Sequence, residues 1–94
     1  MIEALISSKT RIKLLLKFFL NSSNKAYLRG LEEEFGESTN SIRLELNKLE
    51  KVGMITSNVE GNKKYFKANT KHPLFFDLNS IVRKYVGIDT IIEN

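Results

Sequence analysis

The chain has 94 residues, 41% of them hydrophobic and 28% charged, with a net charge of +4 and neither cysteine nor tryptophan. That composition supports one domain with a modest core and argues against disorder, and the lack of cysteine excludes disulfides, thiolate metal sites and thiol catalysis. No apolar run is long enough to span a bilayer, and the opening residues lack the basic and cleavage segments of a secretory signal, so a cytoplasmic protein is expected.

The first residues place Ile2, Leu5 and Ile6 at short helical spacing before Ser7 and Ser8 interrupt. The spacing that follows predicts a helix over 9–20. Ile12, Leu15, Leu16 and Phe19 form its stripe, Leu14 and Phe18 widen it, and Lys13 and Lys17 hold the narrow wet face. So broad a stripe needs cover on more than one side. Asn21 to Asn24 is a loop by composition. A second, shorter helix is predicted over 26–35, with Leu28, Leu31 and Phe35 inside and Glu32, Glu33 and Glu34 outside. Gly30 inside that helix costs about 1 kcal/mol relative to alanine. A tight turn over 36–38 then leads into a third helix, and two short helices joined by a glycine-containing turn make a helix-turn-helix pattern.

The third helix, predicted over 39–52, is the centre of the chain. Ser38, Thr39, Asn40 and Ser41 are all cap formers, able to accept from the free N–H groups of a first helical turn. Gly53 stands just past the other end. Ile42, Leu46, Leu49 and Val52 recur at helical spacing and define the inner face. Asn40, Leu44, Asn47 and Lys51 fall opposite, flanked by Arg43 and Lys48. Such a face suits the major groove of DNA: amides pair with adenine, Arg with guanine, and an apolar tip touches a thymine methyl. It also suits plain solvent, and this helix alone does not choose between the two.

After Gly53 the periodicity changes to two. Strands are predicted over 54–59 and 63–69, joined by the turn residues Glu60, Gly61 and Asn62. Phe66 and Ala68 share one face of the second strand, and Lys63, Tyr65 and Lys67 the other. A two-stranded hairpin is marginal alone, so it must lean on the helices. Pro73 fits the first turn of a last helix, with Leu74, Leu78, Ile81, Val82 and Tyr85 as its stripe, Phe75 or Phe76 extending it and Gly87 as its end. Ile88, Ile91 and Ile92 follow. These apolar residues exceed what so small a core needs, which points to a partner subunit.

Charge is distributed in blocks. Residues 1–30 carry six cations against Glu3, residues 31–50 carry six glutamates against Arg43 and Lys48, and residues 51–71 carry five lysines against Glu60. Two basic blocks flank an acidic one. A basic surface attracts polyanions of any kind, so nucleic acid, anionic lipid and acidic protein are all open on charge alone.

The order helix, helix-turn-helix, hairpin, helix resembles the winged helix-turn-helix repressors of bacteria and archaea, in particular the arsenical-resistance-repressor type (ArsR-like). The likeness runs over about residues 8–69. It is carried by the third helix from Ser41 to Leu49, by its ending Leu49-Glu50-Lys51-Val52-Gly53-Met54-Ile55, and by the wing Gly61-Asn62-Lys63-Lys64-Tyr65-Phe66-Lys67. It implies a mainly α fold with a two-stranded wing over a single domain 1–94, the last helix and tail over 73–94 serving dimerisation. It also implies a bacterial, cytoplasmic transcription regulator that binds double-stranded DNA as a homodimer. The sequence departs from that type in lacking metal ligands, so no metal and no cofactor are expected. Glu45 stands where such proteins often carry a histidine. It is a candidate acceptor for a cytosine amino group, or a partner for Lys48 three residues on. The run His72-Pro73-Leu74-Phe75-Phe76 with Lys84-Tyr85-Val86-Gly87 resembles the link between a winged helix and a nucleotidyltransferase domain in some fused bacterial proteins.

The main reading is therefore a sequence-specific DNA-binding regulator. Its candidate reading residues are Thr39, Asn40, Ser41, Arg43, Leu44, Asn47 and Lys48 on the third helix, with Asn62, Lys63, Lys64 and Lys67 on the wing. Electrostatic attraction is assigned to the N-terminal cations and the wing. Ile2, Leu5, Ile6, Ile81, Tyr85 and Ile88 are the candidate dimer residues. The competing reading is a winged-helix module that binds protein, with a nucleotidyltransferase-type protein as one candidate partner, through the acidic second helix and the apolar last one. An enzyme is not expected. His72, Asp77, Asp89 and Ser80 form no constellation that the sequence reveals, and the only histidine suits a loop or capping role. A peripheral membrane role for the first helix conflicts with its place in the core.

Overall fold

The computed structural model describes the backbone of residues 8–93 and the side chains of residues 8–87. Ser8 caps α1 (Lys9–Leu20), its side chain accepting from the Arg11 amide at 3.1 Å. Leu14, Phe18 and Phe19 of this helix are fully buried, and the expected two-sided cover is supplied by α3 and α4. The chain then forms a short strand, β1 (Ala26–Tyr27), followed by α2 (Leu28–Phe35), α3 (Thr39–Lys51), β2 (Ile55–Glu60), β3 (Lys63–Ala68) and α4 (Phe75–Glu93).

The helix expected over 26–35 therefore loses its first two residues to a strand. Ala26 and Tyr27 pair antiparallel with Phe66 and Tyr65, so the wing is one side of a three-stranded sheet in the order β1-β3-β2. Burial decides the competition. Ala26 is buried opposite Phe66, and extended backbone puts the two on one face. Between β2 and β3 the register runs from Ile55 opposite Ala68 to Glu60 opposite Lys63. That leaves a two-residue loop. Gly61 takes a φ of +64° while, among the described residues, no non-glycine residue has positive φ, which fits a type II′ turn with glycine in first place.

Gly36 ends α2, its amide bonding to the Glu32 carbonyl at 3.0 Å. Ser38 caps α3, accepting from the Ser41 amide at 3.2 Å. At the far end the Gly53 amide donates to the Glu50 carbonyl and Met54 to the Leu49 carbonyl, both at 3.0 Å, the Schellman pattern of a helix stop. Ile42, Leu46 and Leu49 of α3 are buried as expected, and Ile55, Phe66, Ala68, Leu31, Phe75 and Val82 complete the core. Val52, assigned to the same inner stripe, is instead 58% exposed, because it lies in the cap, past the last helical turn.

The start of the last helix also differs from expectation. Pro73 lies in a turn ahead of α4, and the Phe75 amide bonds back to the His72 carbonyl at 3.0 Å. His72 does serve as a cap. Its Nδ1 accepts from the Leu74 amide at 3.0 Å, which makes Nε2 the donor to the Val52 carbonyl at 3.2 Å, tying the end of α3 to the start of α4. Gly87 does not stop α4, which runs on to Glu93. A glycine inside a helix costs only about 1 kcal/mol, and neighbouring turns carry it. Among the described residues no helix is long and apolar enough to cross a membrane.

Candidate nucleic-acid interface

The inner face of α3 is pinned by its three buried aliphatic residues and by one buried acid. Glu45 is only 8% exposed and faces α1, where the Arg11 guanidinium meets it with Nε to Oε2 at 2.7 Å and Nη2 to Oε1 at 3.3 Å. Hydrogen bonding from Arg11 holds the Glu45 carboxyl below the usual glutamate range against the opposing cost of burial, and the same bond raises Arg11. Glu45 is thus turned away from any ligand of α3, contrary to the cytosine role considered for it. Lys48 does approach it, but at 3.7 Å it is the outer member of the cluster.

With that side fixed, Asn40, Arg43, Leu44, Asn47, Lys48 and Lys51 point outward and are exposed. Thr39 and Ser41 are half-buried and spend their hydroxyls at the helix start: Thr39 donates to Glu32, and Ser41 bonds with Ser38. They belong to the turn more than to the open face.

Arg43 and Asn47 form one wall of a cleft of about 520 Å³. Asn62, Lys63 and Lys64 of the hairpin, Tyr27 of β1, Leu28 and Arg29 at the start of α2, and Leu46 and Phe66 complete its lining. The structure thus brings together five of the residues singled out in sequence on α3 and the wing. It leaves Asn40, Leu44 and Lys48 on the open side of the helix. Lys67 is separated from the cleft. It shares the outer sheet face with Tyr65, and a smaller hollow there also includes Lys25 and Thr56. Arg29 and Tyr27 are the functional candidates that sequence reasoning missed. Arg29 was visible only as one of many N-terminal cations, and Tyr27 was hidden by the misread strand.

The structure also corrects where the free positive charge lies. The cations of α1 are largely neutralised by the acidic block: Arg11 with Glu45, Lys13 with Glu37 at 3.0 Å, and Lys17 with Glu34 at 2.8 Å. Lys25 pairs with Glu60 at 2.8 Å. The basic and acidic blocks of the sequence are thus one set of ties between α1, the helix-turn-helix and the wing. Lys13 adds a bond to the Phe35 carbonyl at 3.1 Å, fastening α1 to the end of α2. Among the described residues, nine cations have no carboxylate within 4.0 Å: Lys9, Arg29, Arg43, Lys51, Lys63, Lys67, Lys71, Arg83 and Lys84. Three of them, Arg29, Arg43 and Lys63, line the cleft together. Lys64, also there, reaches Glu50 only at 3.8 Å and lies over the Phe66 ring.

No family model matches the chain, and none of the curated proteins does. Solved structures do. AF1382 from Archaeoglobus fulgidus is similar with a TM-score of 0.68 at 19% identity, over 100% of this chain and 99% of that one. Rv0081 of M. tuberculosis gives a TM-score of 0.65 at 16% identity over 96% and 86% of the two chains. Reduced HlyU from Vibrio cholerae N16961 gives 0.63 at 11% identity over 87% and 78%. At such identities the likeness speaks for the fold, and the fold is a winged helix-turn-helix.

Proposed function

We propose that this chain is a cytoplasmic, non-enzymatic, ArsR-like transcription regulator that binds double-stranded DNA sequence-specifically as a homodimer. One observation carries the DNA reading. Three cations without carboxylate partners, Arg29, Arg43 and Lys63, line one cleft between α3 and the hairpin, while Arg11, Lys13 and Lys17 of α1 are held in ion pairs. In this reading α3 enters the major groove, with Arg43, Asn47, Asn40 and Leu44 facing base edges and Lys48 beside them. Lys63 and Lys64 take phosphates on the flanking backbone, and Arg29 takes one from the other side. Thr39, Ser41 and Lys67 contribute less than the sequence alone implied.

Binding of a labelled random-sequence duplex, followed by fluorescence anisotropy from about 50 to 200 mM salt, tests the reading, since phosphate contacts weaken steeply over that range. Salt-insensitive or absent binding would leave the protein-binding module in its place. Once a preferred site has been selected from random DNA, Arg43→Ala costs about 1–3 kcal/mol there and relaxes the choice of base. Unchanged preference would remove α3 from the reading role. Lys64→Ala acts differently, weakening all sequences alike and reducing the salt slope by about one unit. A loss confined to the preferred site would put the hairpin in a groove instead.

A further inference from the structure

Gly30 lies inside α2, where a glycine weakens the helix. The structure supplies a reason for it. A Cβ at this position would stand 3.2 Å from both Cε1 and Cζ of Tyr27, closer than carbon atoms pack comfortably. Glycine lets the tyrosine ring lie directly against the helix backbone. The ring is braced a second time by Tyr65, its cross-strand partner, with centroids 5.5 Å apart and planes at 74°. Over the same ring, 4.2 Å from its centroid, sits the ammonium of Lys63.

Lys63 is the first residue of β3, exposed, beside the hairpin turn and without a carboxylate partner among the described residues. A lysine so placed samples many rotamers, and ordering it on binding costs free energy. We propose that Tyr27 is a positioning residue: seated on Gly30 and braced by Tyr65, its ring holds the Lys63 ammonium at the mouth of the cleft before DNA arrives. The inference rests on the DNA-binding reading above. It gives a role to β1, to the helix-weakening glycine and to a tyrosine that no motif marks. Lys64 has no such freedom, since Glu50 and the Phe66 ring already share it.

Two measurements test the proposal, one of them independent of DNA. The NMR shift of the Lys63 ε-methylene carries the ring current of Tyr27. It is retained in Tyr27→Phe, lost in Tyr27→Leu and altered in Gly30→Ala, where the tyrosine is present but its ring is displaced. Anisotropy with the random duplex then gives affinity. Tyr27→Phe binds as wild type, and Tyr27→Leu and Gly30→Ala bind about two- to tenfold more weakly, the cost of ordering one long side chain. In a Lys63→Ala background Tyr27→Leu adds nothing further. An equal loss in that background, a loss in Tyr27→Phe, or an unchanged methylene shift in Tyr27→Leu overturns the proposal. Should Tyr27→Leu fail to fold, Gly30→Ala and Tyr27→Phe decide by the same criteria. Failure of the wild type to bind DNA overturns the reading beneath it, and the methylene shift still decides whether Tyr27 holds Lys63.

Discussion

Glu45→Ala destabilises the fold by about 1–3 kcal/mol, the scale of hydrogen bonds between charged groups and below that of a fully buried ion pair that loses one partner. The loss stays below the buried-pair scale because the Arg11 side chain is 36% exposed and can turn partly to water. The loss comes from the abandoned charge and not from an especially favourable pair. Arg11→Met combined with Glu45→Leu therefore recovers most of the stability, since apolar replacement of a whole buried pair is often neutral. Chemical denaturation of the three variants checks both statements. A double variant as unstable as Glu45→Ala would show that the pair contributes through its geometry.

The same pair sets an acid limb. The folded-state value of Glu45 lies below its unfolded value. Its contribution is therefore fully present above the ordinary glutamate value of about 4.3, and is lost as pH falls through the lower folded value. Arg11 is raised, so its share is present below the ordinary arginine value and lost only at more alkaline pH than any working range. Glu45→Gln removes the acid-side dependence that belongs to this pair. An unchanged profile of stability against pH below about 5 would assign the acid limb to other carboxylates.

Periodicity made α1, α3 and the hairpin legible, because each has a broad or alternating apolar pattern ended by a cap or a turn. The bounds predicted for α1 coincide with those observed, and α3 differs only in its last residue. β1 was not legible. Two residues carry no period, and Ala26 and Tyr27 become a strand only because Phe66 and Tyr65 come alongside from 40 and 38 residues away. The outer face of α3 was read correctly at Arg43, Leu44 and Asn47, since a helix with a strong inner stripe fixes its outer one. The fate of the charges was hidden for a different reason. Six cations near the N-terminus suggested an electropositive surface, but ion pairing depends on which helices touch. Only packing α1 against α3, and against the end of α2, spends Arg11, Lys13 and Lys17 on glutamates. Glu45 shows the same limit in one residue. Its spacing put it next to Lys48, and its tertiary partner proved to be Arg11.

Phe76→Glu with Ile81→Glu is expected to give a folded monomer that has lost about a thousandfold or more of its preference for its selected site, falling to near non-specific affinity. The motive is apolar surface that the fold leaves uncovered. Phe76 is 76% exposed, Ile81 48% and Leu74 47% on or beside α4, and Leu20 at the end of α1 is 43% exposed. Ile81 was among the residues assigned to the dimer in sequence. Tyr85, assigned with it, is half-buried, so a charge there would disturb the monomer's own packing. The side chains of Ile2, Leu5, Ile6 and Ile88 lie outside the described residues. Two copies joined through α4 would set their α3 helices about 34–36 Å apart, one turn of DNA, and the preferred site should then be an inverted repeat. Each half-site alone gives only part of the binding energy, so separating the copies costs far more than removing any single contact. Sedimentation of the wild type as a monomer at micromolar concentration would remove these residues from the dimer. So would a double variant that remains dimeric. A selected site without two-fold symmetry would mean that the chain reads DNA one copy at a time, with the uncovered apolar residues of α4 serving some other contact.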